Sequence, residues 1–230
     1  MPKTKCTTVY QFDELSNDAK EKAREWFRQG ALDHDWWDYI YDDFTTIATA
    51  LGFTIGERSG THYNKRNKQD VTTTEQKIWF SGFCSQGDGA CFEGTWKAEH
   101  CKLDKLTDHL GNLAKHPDKE LVRIARELAA FATEHPTFYA VLTHRGRYCH
   151  KHEIEFDCEE MPVGTDDENC DDLVTKESQE EFEELARDLM EWLYRQLEQE
   201  HDYRLSDEAV DEDITGNQYE FFQNGQRATI

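Results

Sequence analysis

The stretch Ile78–Trp96, IWFSGFCSQGDGACFEGTW, sets two aromatic-rich runs around a glycine-rich centre. Large β-favouring side chains on both sides of a turn signal read as a β-hairpin. Placing Phe83 opposite Phe92 also places Trp79 opposite Trp96 on the same face, so one register satisfies both aromatic pairs. The reading is a hairpin over 76–99, and it makes antiparallel pairing the basis of the fold.

Outward from that hairpin, helical and strand periods alternate. Towards the N-terminus, 60–73 (GTHYNKRNKQDVTT) is polar and unpatterned and reads as an exposed loop, with Lys65, Arg66 and Lys68 as a small basic cluster. Trp37, Ile40, Phe44, Ile47, Ala48 and Leu51 recur at helical spacing over 35–51, with Gly52 as the stop. Ala19, Ala23, Trp26 and Phe27 do the same over 17–30, behind Ser16 as N-cap and after a short strand at Thr7–Phe12. Towards the C-terminus come helices over 104–115 and 118–134. A second hairpin follows, Phe138–Thr143 with Tyr148–Phe156, then an acidic loop at 157–175. The clearest helix is 176–200, where Phe182, Leu185, Ala186, Leu189, Leu193 and Leu197 form one stripe. A helix over 206–214 and a strand within NQYEFFQNGQ (217–226) close the chain. The expectation is one α+β domain over 1–230, with a mainly antiparallel sheet of about five to seven strands packed by about five to six helices.

Composition narrows the function classes. Twenty-eight aromatic residues argue for a packed core. No apolar run approaches the ~20 residues of a membrane span, and MPKTKCTTVYQF lacks a signal-peptide core. The expected location is therefore the cytoplasm, with no membrane partner. Seven cysteines at irregular spacing read as reduced thiols, with a Cys84–Cys91 disulfide across the hairpin as the alternative.

Charge is sharply segregated. Residues 153–213 carry 25 acidic against four basic residues, a net −21 of the chain's −22. An anionic surface repels nucleic acid and attracts basic proteins. On the 176–200 helix, Glu177, Glu181, Glu184, Asp188 and Glu191 line the outer stripe, with Asp207, Asp211 and Asp213 following in sequence. Carboxylates repeated along a helix imitate, more sparsely, the phosphates of a nucleic-acid strand. The plain alternative is a solvated face. No EF-hand-type loop is present in DDENCDD (166–172).

Two further features carry candidate chemistry. In Ser85-Gln86-Gly87-Asp88-Gly89, glycines that permit positive φ would free backbone N–H groups for an anion, unless they only shape the turn. His150 and His152 alternate on one face of the expected strand 148–156. With Asp88 and Glu93 they compose the alternative reading, a metal-dependent hydrolase or nuclease. No zinc-type Cys/His spacing, P-loop or nucleophile motif supports an enzyme, so the expectation is no catalytic residues, no metal and no cofactor.

Three segments, VYQFDELSNDAKEKAREWF (9–27), FSGFCSQGDGACFEG (80–94) and SDEAVDEDITGNQYEFFQNGQ (206–226), resemble a phage- and prophage-borne family. Some of its members are labelled as the antitoxin of a toxin–antitoxin stability system. The resemblance implies a small accessory protein of the bacterial host cytoplasm and brings no catalytic residues. Together with the charge, it leads to a non-enzymatic binder that blocks a basic, nucleic-acid-binding host protein such as a defence nuclease, a toxin or a transcription factor. Direct nucleic-acid binding is not expected, and the sequence sets no oligomeric state.

Overall fold

The computed structural model describes residues 7–64, 69–161 and 173–229. Among them lie six α-helices and ten strands, with every strand pair antiparallel, so the class is α+β. The chain divides into two compact units, a central one of residues 39–196 and a terminal one of residues 1–38 with 197–230.

The central unit is built on a four-stranded sheet of β2 (Leu51–Ile55), β7 (Gly94–Cys101), β8 (Phe138–His144) and β9 (Ile154–Glu160), in that spatial order. Alternation turns Phe53, Trp96, Phe138, Ala140, Leu142 and Ile154 inward, where all are buried. Onto that face pack α4 (Lys119–Glu134) and α5 (Lys176–Leu205). The ring of Phe182 on α5 lies 4.8 Å from Trp96 and 5.3 Å from Phe138, and Phe131 on α4 lies 4.9 Å from Phe138. Each such ring, fully buried, contributes on the order of 1.5–3 kcal/mol. The Trp96 indole N–H donates to the Leu51 carbonyl at 2.8 Å, so the buried polar atom is satisfied. Helices α2 (Asp38–Ala50) and α3 (Leu103–Leu110) complete the helices of this unit.

Two strand pairs extend the unit. β3 (Glu57–Asn64) pairs with β4 (Gln69–Gln76), and β5 (Ile78–Ser81) with β6 (Gly89–Phe92). At the junctions Gly56, Lys77 and Glu93 exchange backbone bonds: Gly56 N–H to Glu93 O, Lys77 N–H to Gly56 O and Glu93 N–H to Lys77 O. Strands therefore change partners at this level.

That exchange corrects the expected hairpin register. Phe92 stands opposite Ile78, and Trp79 opposite Cys91. Trp96, beyond the switch at Glu93, pairs with Phe53 and Ala140 instead. Cys84 and Cys91 are free thiols, so no disulfide crosses this turn. Burial pushes the Cys91 thiol up to about 12.

Other expectations also shift. The expected loop 60–73 falls largely within β3 and β4, while its basic cluster Lys65, Arg66 and Lys68 lies outside the described residues. Gly52 sits inside β2 at φ +95, at a register shift, where a Cβ would meet Lys97 O at 2.9 Å. Residues 151–153 form a 3-10 turn, and strand pairing begins only at Ile154 and runs to Glu160.

In the terminal unit β1 (Tyr10–Gln11) pairs with β10 (Glu220–Phe221), and α1 (Asn17–Arg28) packs with α6 (Asp207–Gly216). Phe12, Leu15, Ala19, Ala23, Val210, Ile214 and Phe221 form its core. Segments 9–27 and 206–226 thus fold together. The Asn224-Gly225 signal is a real turn: Gly225 takes φ +83 and lies so close to the Ala19 carbonyl that a Cβ would overlap it.

Candidate functional site

Helix α5 begins with a reciprocal cap. Thr175 Oγ1 accepts the Ser178 N–H at 3.1 Å, and Ser178 Oγ accepts the Thr175 N–H at 3.0 Å. Leu185, Leu189 and Leu193 then continue the buried stripe begun at Phe182. Burying that stripe turns the opposite face outward, which is where the sequence put its carboxylates.

Their states differ. Glu177, Glu181 and Glu184 are exposed and have no ion pair among the described residues. Glu180 beside them is exposed and bonds Lys176 at 3.3 Å. One to two turns further on, Asp188 pairs with Arg123 of α4, and Glu191 pairs with Lys151 at 3.2 Å and Arg195 at 3.6 Å. Arg123 also holds Glu120, and the bonds from Glu120 and Asp188 raise its pKa above the ordinary guanidinium range. The Arg123 bond in turn holds the Glu120 carboxyl below the usual carboxylate range.

In the terminal unit, Asp211 receives both arms of Arg24, Nε and Nη2, each at 2.7 Å. Asp207 takes Arg24 at 3.3 Å and also Arg28. The Asp211 bonds lift the Arg24 pKa above its ordinary range. Asp213 is exposed without an ion pair among the described residues. Of the eight expected binding residues, four are therefore tied to the chain's own cations.

The glycine-rich turn is closed on itself. Asp88 Oδ2 accepts the N–H groups of Cys84 at 2.9 Å and Ser85 at 2.7 Å, donors an anion would need. These two bonds hold its carboxyl below the usual range. Neither Gly87 nor Gly89 has positive φ. Gly89 is required by close approach, since a Cβ there would lie 2.9 Å from the His150 ring and 3.1 Å from the Cys149 carbonyl.

The alternative metal set is not brought together. Glu93 bonds Lys77 at 2.6 Å and accepts the His144 N–H at 3.2 Å. The 3-10 turn removes the alternation that put His150 and His152 on one strand face. Instead His150 Nδ1 accepts the His152 N–H at 3.2 Å, and the rings stack at 5.1 Å. No three His, Cys, Asp or Glu side chains form a group fit for a metal ion among the described residues. No described helix is long and apolar enough to cross a membrane.

One acidic row was missed by sequence reasoning. Glu155, Asp157 and Glu159 are exposed on the outward face of edge strand β9, about 6.6 Å apart. Glu155 bonds exposed Arg145 at 3.0 Å. Alternation continued from Ile154 and Phe156 through Cys158 was the signal that could have found it.

A shallow cavity of about 330 Å³ lies between residues 151–152 and α5, lined by Lys151, His152, Glu180, Glu183, Glu184, Arg187 and Asp188. Burial and then the neighbouring His150, Arg187 and Lys151 push His152 below the ordinary imidazole value. The lining mixes both signs of charge.

No curated protein and no solved structure matches the chain. A family model described as "Domain of unknown function (DUF8835)" matches residues 36–207, which takes in the whole central unit and well over half of the chain. The protein belongs to that family.

Proposed function

We propose that this protein works by binding, presenting carboxylates of its central unit to a basic, nucleic-acid-binding surface of another protein. The observation that carries the reading is the set Glu177, Glu181 and Glu184: exposed, on one helix face, and without an ion pair among the described residues. Neighbours on such a face stand about 5–6 Å apart and repel by a few tenths of a kcal/mol per pair. A basic partner relieves that repulsion and releases counterions from both surfaces. Asp157 and Glu159 on β9 add a second anionic surface in the same unit, beside Glu155, which Arg145 already holds. Asp188, Glu191, Asp207 and Asp211 contribute less, because each already faces an internal cation.

The resemblance of 9–27, 80–94 and 206–226 to a phage-borne family supports a bacterial host protein as the partner, in the host cytoplasm. The test is affinity capture from bacterial lysate with the full chain as bait. Nucleic-acid-binding proteins should be retained at low salt, released at about 1 M salt, and displaced by added duplex DNA. Retention that survives both salt and DNA would contradict the reading.

A further inference from the structure

Arg227 ends a chain reversal built on the Asn224-Gly225 turn. The Phe222 N–H donates to the Gln226 carbonyl and the Ala228 N–H to the Glu220 carbonyl, each at 2.9 Å, which brings Arg227 back opposite Phe221. Its guanidinium then lies 4.6 Å from the centre of the Tyr219 ring and 5.7 Å from that of Trp26. Nη1 donates to the Glu220 carbonyl at 2.7 Å and to the Ala228 carbonyl at 3.1 Å. Ring stacking and two backbone bonds fix the orientation of the group. Its other edge, Nε and Nη2, makes no hydrogen bond among the described residues. Arg24 in the same unit shows what such an edge takes: its Nε and Nη2 hold the two oxygens of Asp211.

Arg227 lines a cleft of about 710 Å³ with Trp26, Tyr219, Phe222, Lys22 and Glu25. That volume lies within the ~300–1,000 Å³ of ligand clefts. The three aromatic rings are only partly buried. Among the charged groups two cations stand against one acid, although the terminal unit holds 17 acidic residues against eight basic ones. Its other described bases, Lys20, Arg24, Arg28 and Arg204, each pair with a carboxylate. Lys22 and Arg227 have no ion pair among the described residues, and both line this one cleft.

We propose that this cleft binds a carboxylate carried next to an apolar group, the chemistry of an acidic peptide segment of another protein. The carboxylate takes the Nε–Nη2 edge of Arg227 as Asp211 takes that of Arg24, and Lys22 adds a second positive charge. The neighbouring apolar side chain covers Trp26, Tyr219 and Phe222. Charge complementarity selects the occupant. A basic segment would meet the two unpaired cations, and a nucleic-acid strand would bring many phosphates against the acids of the unit. A single carboxylate meets neither obstacle. Trp, Tyr and Arg in one pocket are also the side chains that carry most binding energy at protein interfaces. A guanidinium already held in place loses little freedom on binding.

The ligand is opposite in sign to the one the α5 carboxylates call for, so the two readings fail separately. The test is an NMR titration of the full chain at about 0.15 M salt, where charges beyond roughly 8 Å are screened. The probes are acetyl-Phe-Glu-Phe-amide and its neutral counterpart, acetyl-Phe-Gln-Phe-amide. The acidic peptide should shift the Arg227 Nε–H and Trp26 Nε1–H signals. It should bind about tenfold or more tightly than the neutral one, as expected for a charge-assisted bond. Arg227→Lys keeps the charge but not the planar fork. It should weaken the acidic peptide about tenfold and leave the neutral one unchanged. Lys22→Gln, at an exposed position of α1, should weaken the acidic peptide about two- to threefold. Equal affinity for the two peptides would overturn the proposal. So would unshifted Arg227 and Trp26 signals up to about 10 mM acidic peptide, or an Arg227→Lys variant, folded by circular dichroism, that binds it like the parent.

Discussion

Two groups of carboxylates from one acidic segment do opposite things. In the terminal unit Asp207 and Asp211 bind Arg24 and Arg28 and fasten α6 to α1. In the central unit Glu177, Glu181 and Glu184 fasten nothing among the described residues. Net charge alone does not separate these roles; the difference lies in whether a cation from elsewhere in the chain folds against the acid. A paired, half-buried carboxylate is part of the structure. An exposed unpaired one adds little to stability and is open to a partner.

Substitutions can break that contrast from the structural side first. Gly225→Ala should have the largest effect, since it forces a Cβ into the Ala19 carbonyl at φ +83. A loss of roughly 2–3 kcal/mol is expected, read by urea denaturation, with Gly216→Ala as the control because a Cβ there meets nothing within 4 Å. Arg24→Ala leaves Asp207 and Asp211 without their shared cation and should cost about 1–2 kcal/mol, discounted for partial exposure. The same denaturation series checks it.

The acid limb sharpens the comparison further. Arg123 lowers the Glu120 pKa in the folded state. The unfolded chain therefore takes up that proton at higher pH, near the ordinary value of about 4.3. The stability contributed is present above that value and is lost as pH falls through the lower folded one. Urea midpoints followed between about pH 6 and pH 3 should fall less steeply in Arg123→Gln than in the parent. The smallest stability effect belongs to Glu177→Lys, Glu181→Lys and Glu184→Lys together. It should lie within about 0.5 kcal/mol of the parent.

Sequence reasoning reached α5 because its buried stripe has a helical period, and it placed the carboxylates outward for the same reason. It could not assign their partners, because Arg24 lies 187 residues from Asp211 and Arg123 lies 65 from Asp188. The β3–β4 ribbon was read as loop because a strand exposed on both faces shows no apolar alternation. The aromatic register of 78–96 failed where one continuous strand changes partners at Glu93, so that Phe92 and Trp96 answer to different neighbours. The histidine pair failed because a 3-10 turn has no two-residue period.

Whether the unpaired carboxylates of α5 hold a partner is tested most directly by lysate capture at low salt. The parent chain is compared with the Glu177→Lys, Glu181→Lys, Glu184→Lys variant, after circular dichroism and the urea midpoint have been matched. The folded variant should no longer retain the basic lysate proteins held by the parent. Equal retention by both chains would contradict a binding role for this helix face.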